Sequence, residues 1–240
     1  MTKNMKKRIV IKIGSSSLTK NGTLDKRTIN SIARQVSLLY RLGVEIVIVS
    51  SGAVACGRSI LSLKKTKSSS QIAAIYGQNV LLNSWSQAFR KFNVQVGQVL
   101  ISEEDLKNPN TPLVGGLKHG IQIVNANDAV NDEEMKAFFL SSDNDKLSGH
   151  IAQFIKADTL ILLTNVDGVL NHEGKVIKKL EKSSKIHFRA KSSVGTGGMY
   201  SKVLVGFESA KNGIQTIIAN ANKKDIILEI ISGKQTGTRF

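Results

Sequence analysis

The chain has little of what disulfide-bonded, metal-binding and membrane proteins are built from. It contains one cysteine in 240 residues, Cys56, so no disulfide can form within it, and its four histidines show no metal-ligand spacing. No stretch approaches the roughly 18 uncharged apolar residues that a membrane span requires. The basic start, MTKNMKKR, is followed by Lys12 and serines instead of the apolar core and cleavage site of a signal peptide. We therefore expect a cytoplasmic protein that does not contact membranes.

Acidic and aromatic residues are also scarce, which bears on nucleic-acid binding. The chain has 34 Lys and Arg against 18 Asp and Glu, a net charge of +16, and aromatics make up 5%. Its basic clusters lie at 3–8, 64–67, 178–191 and 223–224, and such clusters can attract a polyanion. The aromatics are too few to form the stacking platforms of single-strand binders, and no nucleic-acid motif is present. We expect no specific nucleic-acid partner, and affinity that survives physiological salt would contradict this.

Strand and helix patterns alternate along the chain. Strands are predicted at 8–13, 45–49, 94–101, 121–125, 159–163 and 214–219, with a hairpin at 169–177 and a last strand at the C-terminus. Helices are predicted at 25–42, 53–61, 71–92, 143–156 and 198–212, and serines 68–70 beside lysines predict a loop. This alternation is typical of a three-layer αβα sandwich with a mainly parallel central sheet. We expect a single domain over 1–240.

Three segments combine glycines or serines with a lysine or a strand end, as phosphate sites do. The sequence VGTGGMYSK at 194–202 is a glycine-dense loop that enters a helix and supplies Lys202. The strand at 9–13 contains Lys12 and ends at Gly14, and the strand at 46–49 leads into Ser51 and Gly52. Ligands of open α/β sheets bind at the carboxyl ends of strands, so these segments predict a phosphorylated ligand. The alternatives are an ordinary Gly-rich turn and a Lys12 that reaches solvent from an edge strand.

Other nucleotide signatures are absent. The segment 168–175 resembles a P-loop, but its glycine spacing is one residue too long and Val176 replaces the Ser or Thr. No HRD-type catalytic loop of protein kinases occurs either. Phosphoryl transfer would therefore need lysines, backbone amides and an organising carboxylate. Asp145, in the cluster SDND at 142–145, is the candidate carboxylate, and simple helix N-capping is the alternative for this cluster.

Short motifs follow one another over nearly the whole chain. They are VIKIGSS at 10–16, IVIVSSGAVACGR at 46–58, QIAAIYGQ at 71–78, VGQVLIS at 96–102, NANDAV at 125–130, SDNDKLSG at 142–149, ILLTNVDGVL at 161–170, GTGGMYSK at 195–202 and the closing GTRF. In number and order they resemble the amino-acid kinase family, and within it the glutamate 5-kinase group. The resemblance implies ATP as phosphoryl donor, Mg²⁺ carried by the nucleotide, L-glutamate as acceptor and L-glutamyl 5-phosphate, a proline precursor, as product. It also implies a homo-oligomer.

The resemblance further implies roles for individual residues. Lys12 and Lys202 would flank the transferred phosphoryl group, and Asp145 would hold both lysines through ion pairs. The nucleotide-binding residues would be Lys12, Gly14, Ser15, Thr164, Asn165, Thr196, Gly197, Gly198, Met199, Tyr200, Ser201 and Lys202. The substrate-binding residues would be Ser51, Gly52, Ala53, Asp128 and Asn144. No metal site formed by the protein alone is expected.

The acceptor side departs from the family pattern. The chain reads Asn-Ala-Asn-Asp at 125–128, where the family has asparagine, glutamate, asparagine and aspartate, so Ala126 removes a carboxylate. The region 108–120 is shorter than usual and rich in Pro and Gly, and 131–141 carries extra residues. A different small acid as acceptor, or a weakly catalytic nucleotide-binding regulator, are therefore the alternative functions. The RNA-binding-like domain that follows the kinase domain in many bacterial members is expected to be absent.

Overall fold

The computed structural model describes residues 7–20, 22–64, 67–108, 111–129, 144–181 and 198–240. Within these ranges the strands are β1 (Arg8–Ile13), β2 (Thr19–Lys20), β3 (Thr23–Leu24), β4 (Glu45–Ser50), β5 (Val96–Ile101), β6 (Ile121–Ala126), β7 (Thr159–Thr164), β8 (Gln215–Asn220) and β9 (Thr238–Arg239). The helices are α1 (Ser15–Leu18), α2 (Lys26–Arg41), α3 (Ala53–Leu61), α4 (Lys67–Arg90), α5 (Glu103–Lys107), α6 (Leu113–Gly116), α7 (Asn144–Phe154), α8 (Met199–Lys211) and α9 (Ile226–Ile231). None of the described helices has the length and apolar character needed to span a membrane.

Seven strands form one sheet in the order β5-β6-β4-β1-β7-β8-β9. All neighbouring pairs are parallel except β8 and β9, so the predicted mainly parallel sheet is confirmed. The carboxyl ends of six strands therefore lie along the same edge of the sheet. β1 is the central strand, between β4 and β7, so Lys12 is far from the two outermost strands β5 and β9. The edge-strand alternative for Lys12 is therefore wrong.

Two buried clusters cover the two faces of the sheet and complete the three layers. One contains residues of α2, α4 and α9, and it receives Ile9, Ile11 and Ile13 from β1. The other contains residues of α7 and α8, and it receives Val10. Because side chains of a strand alternate between faces, Lys12 lies on the same face as Val10, beneath α7 and α8.

The structure corrects one local prediction and confirms another. The serines expected in a loop belong to α4, which begins at Lys67, and there Ser69 Oγ donates to Lys64 O at 2.6 Å. Tertiary contact with α3 thus overrides the low helix propensity of a serine run. The predicted hairpin at 169–177 is present in a short form. Leu170 and Val176 form an antiparallel bridge, the Ile177 N–H donates to Val169 O at 2.8 Å, and the Gly174 N–H donates to Asn171 O at 3.0 Å and closes the turn.

Candidate active site

Lys12 lies in the second half of β1 and is almost fully buried, with 5% of its surface exposed. A buried ammonium group is costly unless an anion compensates it. That anion is Asp145, whose Oδ1 is 2.6 Å from Lys12 Nζ. Gly14 follows the strand, and a Cβ built on it would stand 3.5 Å from Lys12 Nζ, so Gly14 lies beside the lysine head group. Ser15 comes next as the first residue of α1.

Asp145 is the second residue of α7 and has no exposed surface. A carboxylate in the first helical turn is favoured by the partial positive charge of the helix start. The side chain uses both oxygens on lysines: Oδ1 faces Lys12, and Oδ2 accepts a hydrogen bond from Lys202 Nζ at 3.0 Å. The contacts of Asp145 therefore go beyond the helix-capping alternative that the sequence left open.

Lys202 is the fourth residue of α8 and is also buried, with 7% exposed. A cation near a helix start opposes the helix dipole, so the ion pair with Asp145 offsets an unfavourable position. Gly198 precedes the helix as its N-cap, and Met199, Tyr200 and Ser201 form the first turn. Thr196 and Gly197, also predicted to bind nucleotide, lie outside the described residues.

The three charged groups together carry one more positive than negative charge in a buried setting. Such an arrangement attracts an anion to the carboxyl edge of the sheet, where the low local dielectric strengthens the attraction. Among the described residues, no group of three or more His, Cys, Asp or Glu side chains could hold a metal ion. The chemistry that this part of the site supports is therefore binding and polarising of phosphate oxygens by fixed ammonium groups.

Ser51 and Asn144 are in contact beside β1, where the neighbouring strand β4 ends. Ser51 follows β4, and its backbone N–H donates to Ile13 O at 3.0 Å. Asn144 opens α7 and donates from Nδ2 to Ser51 Oγ at 2.8 Å. Gly52 has a positive φ of 117° and precedes Ala53, the first residue of α3, so this tight turn needs a glycine. The structure thus brings four of the five predicted substrate residues to one place.

The fifth predicted substrate residue, Asp128, lies in the half-buried turn that follows β6. Its backbone N–H donates to Ala126 O at 2.9 Å, which closes the turn at the same edge of the sheet. Asn125, the residue before Ala126, was not among the residues predicted to bind substrate. Its Oδ1 accepts from Asn144 Nδ2 at 3.1 Å. In the sequence, Asn125 stood out only as the first residue of the motif NANDAV.

A second polar group lies at the ends of β7 and β8. Thr164 is buried and Asn165 exposed, and Thr164 Oγ1 donates weakly toward Asn165 Oδ1 at 3.4 Å. Close by, Asp167 accepts from Asn220 Nδ2 at 2.8 Å and pairs with Lys223 Nζ at 2.8 Å. The Lys223 hydrogen bond, followed by that of Asn220, lowers the pKa of Asp167 below its usual value. Asp167, Asn220 and Lys223 were not among the predicted site residues.

The site consists of a buried Lys-Asp-Lys triad and strand-end loops on a parallel sheet, an arrangement suited to holding phosphate groups. The family model described as "Amino acid kinase family" matches residues 7–220. The chain therefore belongs to the amino acid kinase family.

Three relatives of this chain within the family carry the same name, glutamate 5-kinase. A glutamate 5-kinase of Clostridium acetobutylicum is 38% identical over 254 residues, covering 97% of this chain and 94% of the relative. One from Clostridium perfringens is 34% identical and covers 98% and 95%. One from Dehalococcoides mccartyi is 37% identical, and the match covers all of this chain but 70% of the relative. Among solved structures, the UMP kinase of Ureaplasma parvum superposes with a TM-score of 0.62 at 16% identity, over 98% of this chain, which shows the shared fold.

Proposed function

We propose that this protein is an ATP-dependent kinase that phosphorylates the side-chain carboxylate of L-glutamate, giving L-glutamyl 5-phosphate for proline biosynthesis. The observation that carries the proposal is the buried triad, in which Asp145 lies between Lys12 and Lys202 at the carboxyl edge of the sheet. The relatives named glutamate 5-kinase support the choice of acceptor.

In this proposal the two lysines stabilise the charge on the phosphoryl group in transit. Phosphoryl transfer requires mainly alignment and neutralisation of charge on the non-bridging oxygens. Asp145 fixes both ammonium groups, so they need no reorganisation when charge develops in the transition state. Lys12, at the end of β1 beside Gly14, faces the β and γ phosphates of ATP, and Lys202 faces the transferred group from the start of α8.

The acceptor binds on the Ser51 and Asn144 side, with Asp128, Gly52 and Ala53 completing its site. A carboxylate is ionised at neutral pH, because the pKa of a glutamate side chain is about 4.3. Its oxygen attacks the γ phosphorus, the bond from that phosphorus to the β–γ bridging oxygen breaks, and ADP leaves with the electron pair. No proton has to be removed from the acceptor, so the chain needs no general base.

The nucleotide lies over the other half of the edge, on Ser15, Thr164, Asn165 and the start of α8. Gly198 precedes that helix, and the partial positive charge of a helix start suits a phosphate. Thr196 and Gly197 belong to this set by resemblance. Mg²⁺ would be held by phosphate oxygens, a mode typical of nucleotide-bound magnesium.

The test is ADP release with Mg-ATP and L-glutamate, combined with hydroxylamine trapping of the acyl phosphate. Aspartate, N-acetylglutamate and no acceptor serve as controls, and glutamate-dependent hydroxamate is the expected result. Lys12→Met and Lys202→Met should each lower kcat by about a hundredfold or more. Lys211→Met, at the exposed end of α8, is the matched control and should keep full turnover. Unchanged turnover in either triad variant would disprove the proposed catalytic site.

A second candidate is a kinase for a different small carboxylic acid. It is favoured by Ala126, which places a methyl group at the end of β6 where the family has a glutamate carboxylate. Turnover with another acid of the panel but not with glutamate would establish it. Nucleotide binding without turnover of any acid would instead indicate a regulatory protein. We also propose a homo-oligomer, for which light scattering of the purified chain is the test.

A further inference from the structure

The side chain of Gln78, on α4, extends to the acceptor side of the site. Gln78 Oε1 accepts a hydrogen bond from Asn125 Nδ2 at 3.1 Å, and the partners lie 47 residues apart in the sequence. Asn125 in turn contacts Asn144, and Asn144 contacts Ser51. These four side chains form one chain of hydrogen bonds from helix α4 to the proposed acceptor site, which we name the amide relay.

The backbone fixes the orientation of the relay. The Ala126 N–H can only donate, and it points at one end of the Asn125 side chain at 3.0 Å, so that end must be the oxygen. The amino group of Asn125 then faces α4. Gln78 must therefore present its oxygen, and its own Nε2 is left buried without a hydrogen-bond partner among the described residues.

The consequence extends to Asn144 and Ser51. The Asn125 oxygen accepts one N–H of the Asn144 amino group, and Ser51 Oγ accepts from the same amino group. An amide nitrogen has two N–H donors, so both are used. The Asn144 oxygen and the Ser51 hydroxyl hydrogen then remain for the acceptor molecule. An ammonium group fits the first and a carboxylate fits the second.

The packing of α4 keeps Gln78 in place. A Cβ on its neighbour Gly77 would lie 1.8 Å from Ala53 O, and one on Gly57 would lie 1.8 Å from Ala73 O, so α3 and α4 touch backbone to backbone. Since α3 starts directly after Gly52, this contact fixes Gln78 relative to the loop that carries Ser51. Asn125 itself is buried, with 1% exposed.

We propose that Gln78 is a positioning residue that, through Asn125, holds Asn144 and Ser51 in the orientation that binds the acceptor. Without the Gln78 oxygen, the Asn125 amino group is left buried without its acceptor on α4. With no contact on that side, the Asn125 side chain can move, and its hydrogen bonds with Asn144 and Ala126 weaken. The inference rests on the proposed function, because that proposal assigns Ser51 and Asn144 to the acceptor.

The test compares Gln78→Met with Gln122→Met. Gln122 is also a buried amide, 6% exposed, but it lies on the opposite face of β6 and donates to Leu113 O at 2.9 Å. We expect Gln78→Met to raise the KM for glutamate about tenfold, as the loss of one buried hydrogen bond implies, and to leave the KM for ATP within about twofold. Gln122→Met should change neither. If Gln78→Met does not fold, Gln78→Asn, which keeps an amide but is too short for the contact, should show the same selective rise.

An unchanged KM for glutamate, or an equal rise in both KM values, would overturn the inference. If the wild-type protein releases no ADP with glutamate, the proposed function fails, and the relay is judged without turnover. The measure is then the ¹H–¹⁵N signal of the Asn144 side-chain amide, assigned from its disappearance in Asn144→Asp. Gln78→Met should shift this signal and Gln122→Met should not. A signal that Gln78→Met leaves in place would contradict the relay.

Discussion

Replacing Asp145 with asparagine should destabilise the protein strongly, because it removes the anion between two buried cations. The side chain keeps its size and its place in the first turn of α7, so the change is almost purely electrostatic. At an effective dielectric constant of about 20, charges separated by 2.6 and 3.0 Å attract each other by about 5 to 6 kcal/mol each. Desolvation of the ions offsets much of this attraction. Loss of one partner from a buried pair costs about 3–5 kcal/mol in practice.

That loss is a large share of the total stability, which for natural proteins is about 5–15 kcal/mol. Urea unfolding followed by tryptophan fluorescence measures it directly, since Trp85 is the sole tryptophan and is fully buried. The control is Glu173→Gln, which breaks an exposed pair with Lys175 and should cost less than about 1 kcal/mol.

A second variant separates stability from catalysis. Changing Asp145 to leucine together with both lysines to methionine removes every charge of the triad. Stability should return to within about 2 kcal/mol of the wild type, since buried ion networks can be replaced by apolar residues at little cost. Turnover should remain absent. An Asp145→Asn variant whose free energy of unfolding lies within about 1 kcal/mol of the wild type, or a charge-free variant that still transfers phosphate, would contradict the role given to the triad.

Two further predictions concern the α3–α4 contact and the lone thiol. Gly77→Ala should lower the free energy of unfolding by about 3 kcal/mol, because its Cβ would overlap Ala53 O. Gly97→Ala, in open space on β5, is the control and should change the free energy of unfolding little. Equal effects of the two variants in urea unfolding would contradict this prediction. Burial raises the pKa of Cys56 to about 11, so unfolding frees a thiol that ionises nearer 9. Stability should therefore fall as pH rises from about 9 to 11, and Cys56→Ala should remove that part of the slope; an identical pH profile in both proteins would show that the thiol makes no contribution.

Much of the fold could be read from local pattern. The β-branched apolar run that predicted a strand at 8–13 is confirmed residue for residue as β1, and α2 begins after Asp25, whose side chain accepts from the Arg27 N–H at 2.9 Å. The short helices α1, α5, α6 and α9 were not predicted, since four to six residues are too few to show a helical period. Their formation depends on packing and turn geometry more than on propensity.

Some residues of the candidate site could be predicted from the sequence, and others could not. A lysine inside an apolar strand, a glycine-dense loop and a carboxylate at a helix start are visible in the sequence, because burying charge is costly enough to stand out. Gln78 and Asn125 showed no such signal, since an amide in a helix or at a strand end is ordinary until its partner is known. Asp167 with Asn220 was missed for the same reason.

The order of strands and helices, and the positions where charge or glycine is out of place, could be predicted from the sequence alone. They depend on periods of two or 3.6 residues and on local turn chemistry. The bonds of Asp145 with Lys12 and with Lys202, 57 residues away, and the contact of Gln78 with Asn125 became visible in the three-dimensional fold. Strand order and helix packing bring these residues together, and both follow from burying apolar surface across the whole chain.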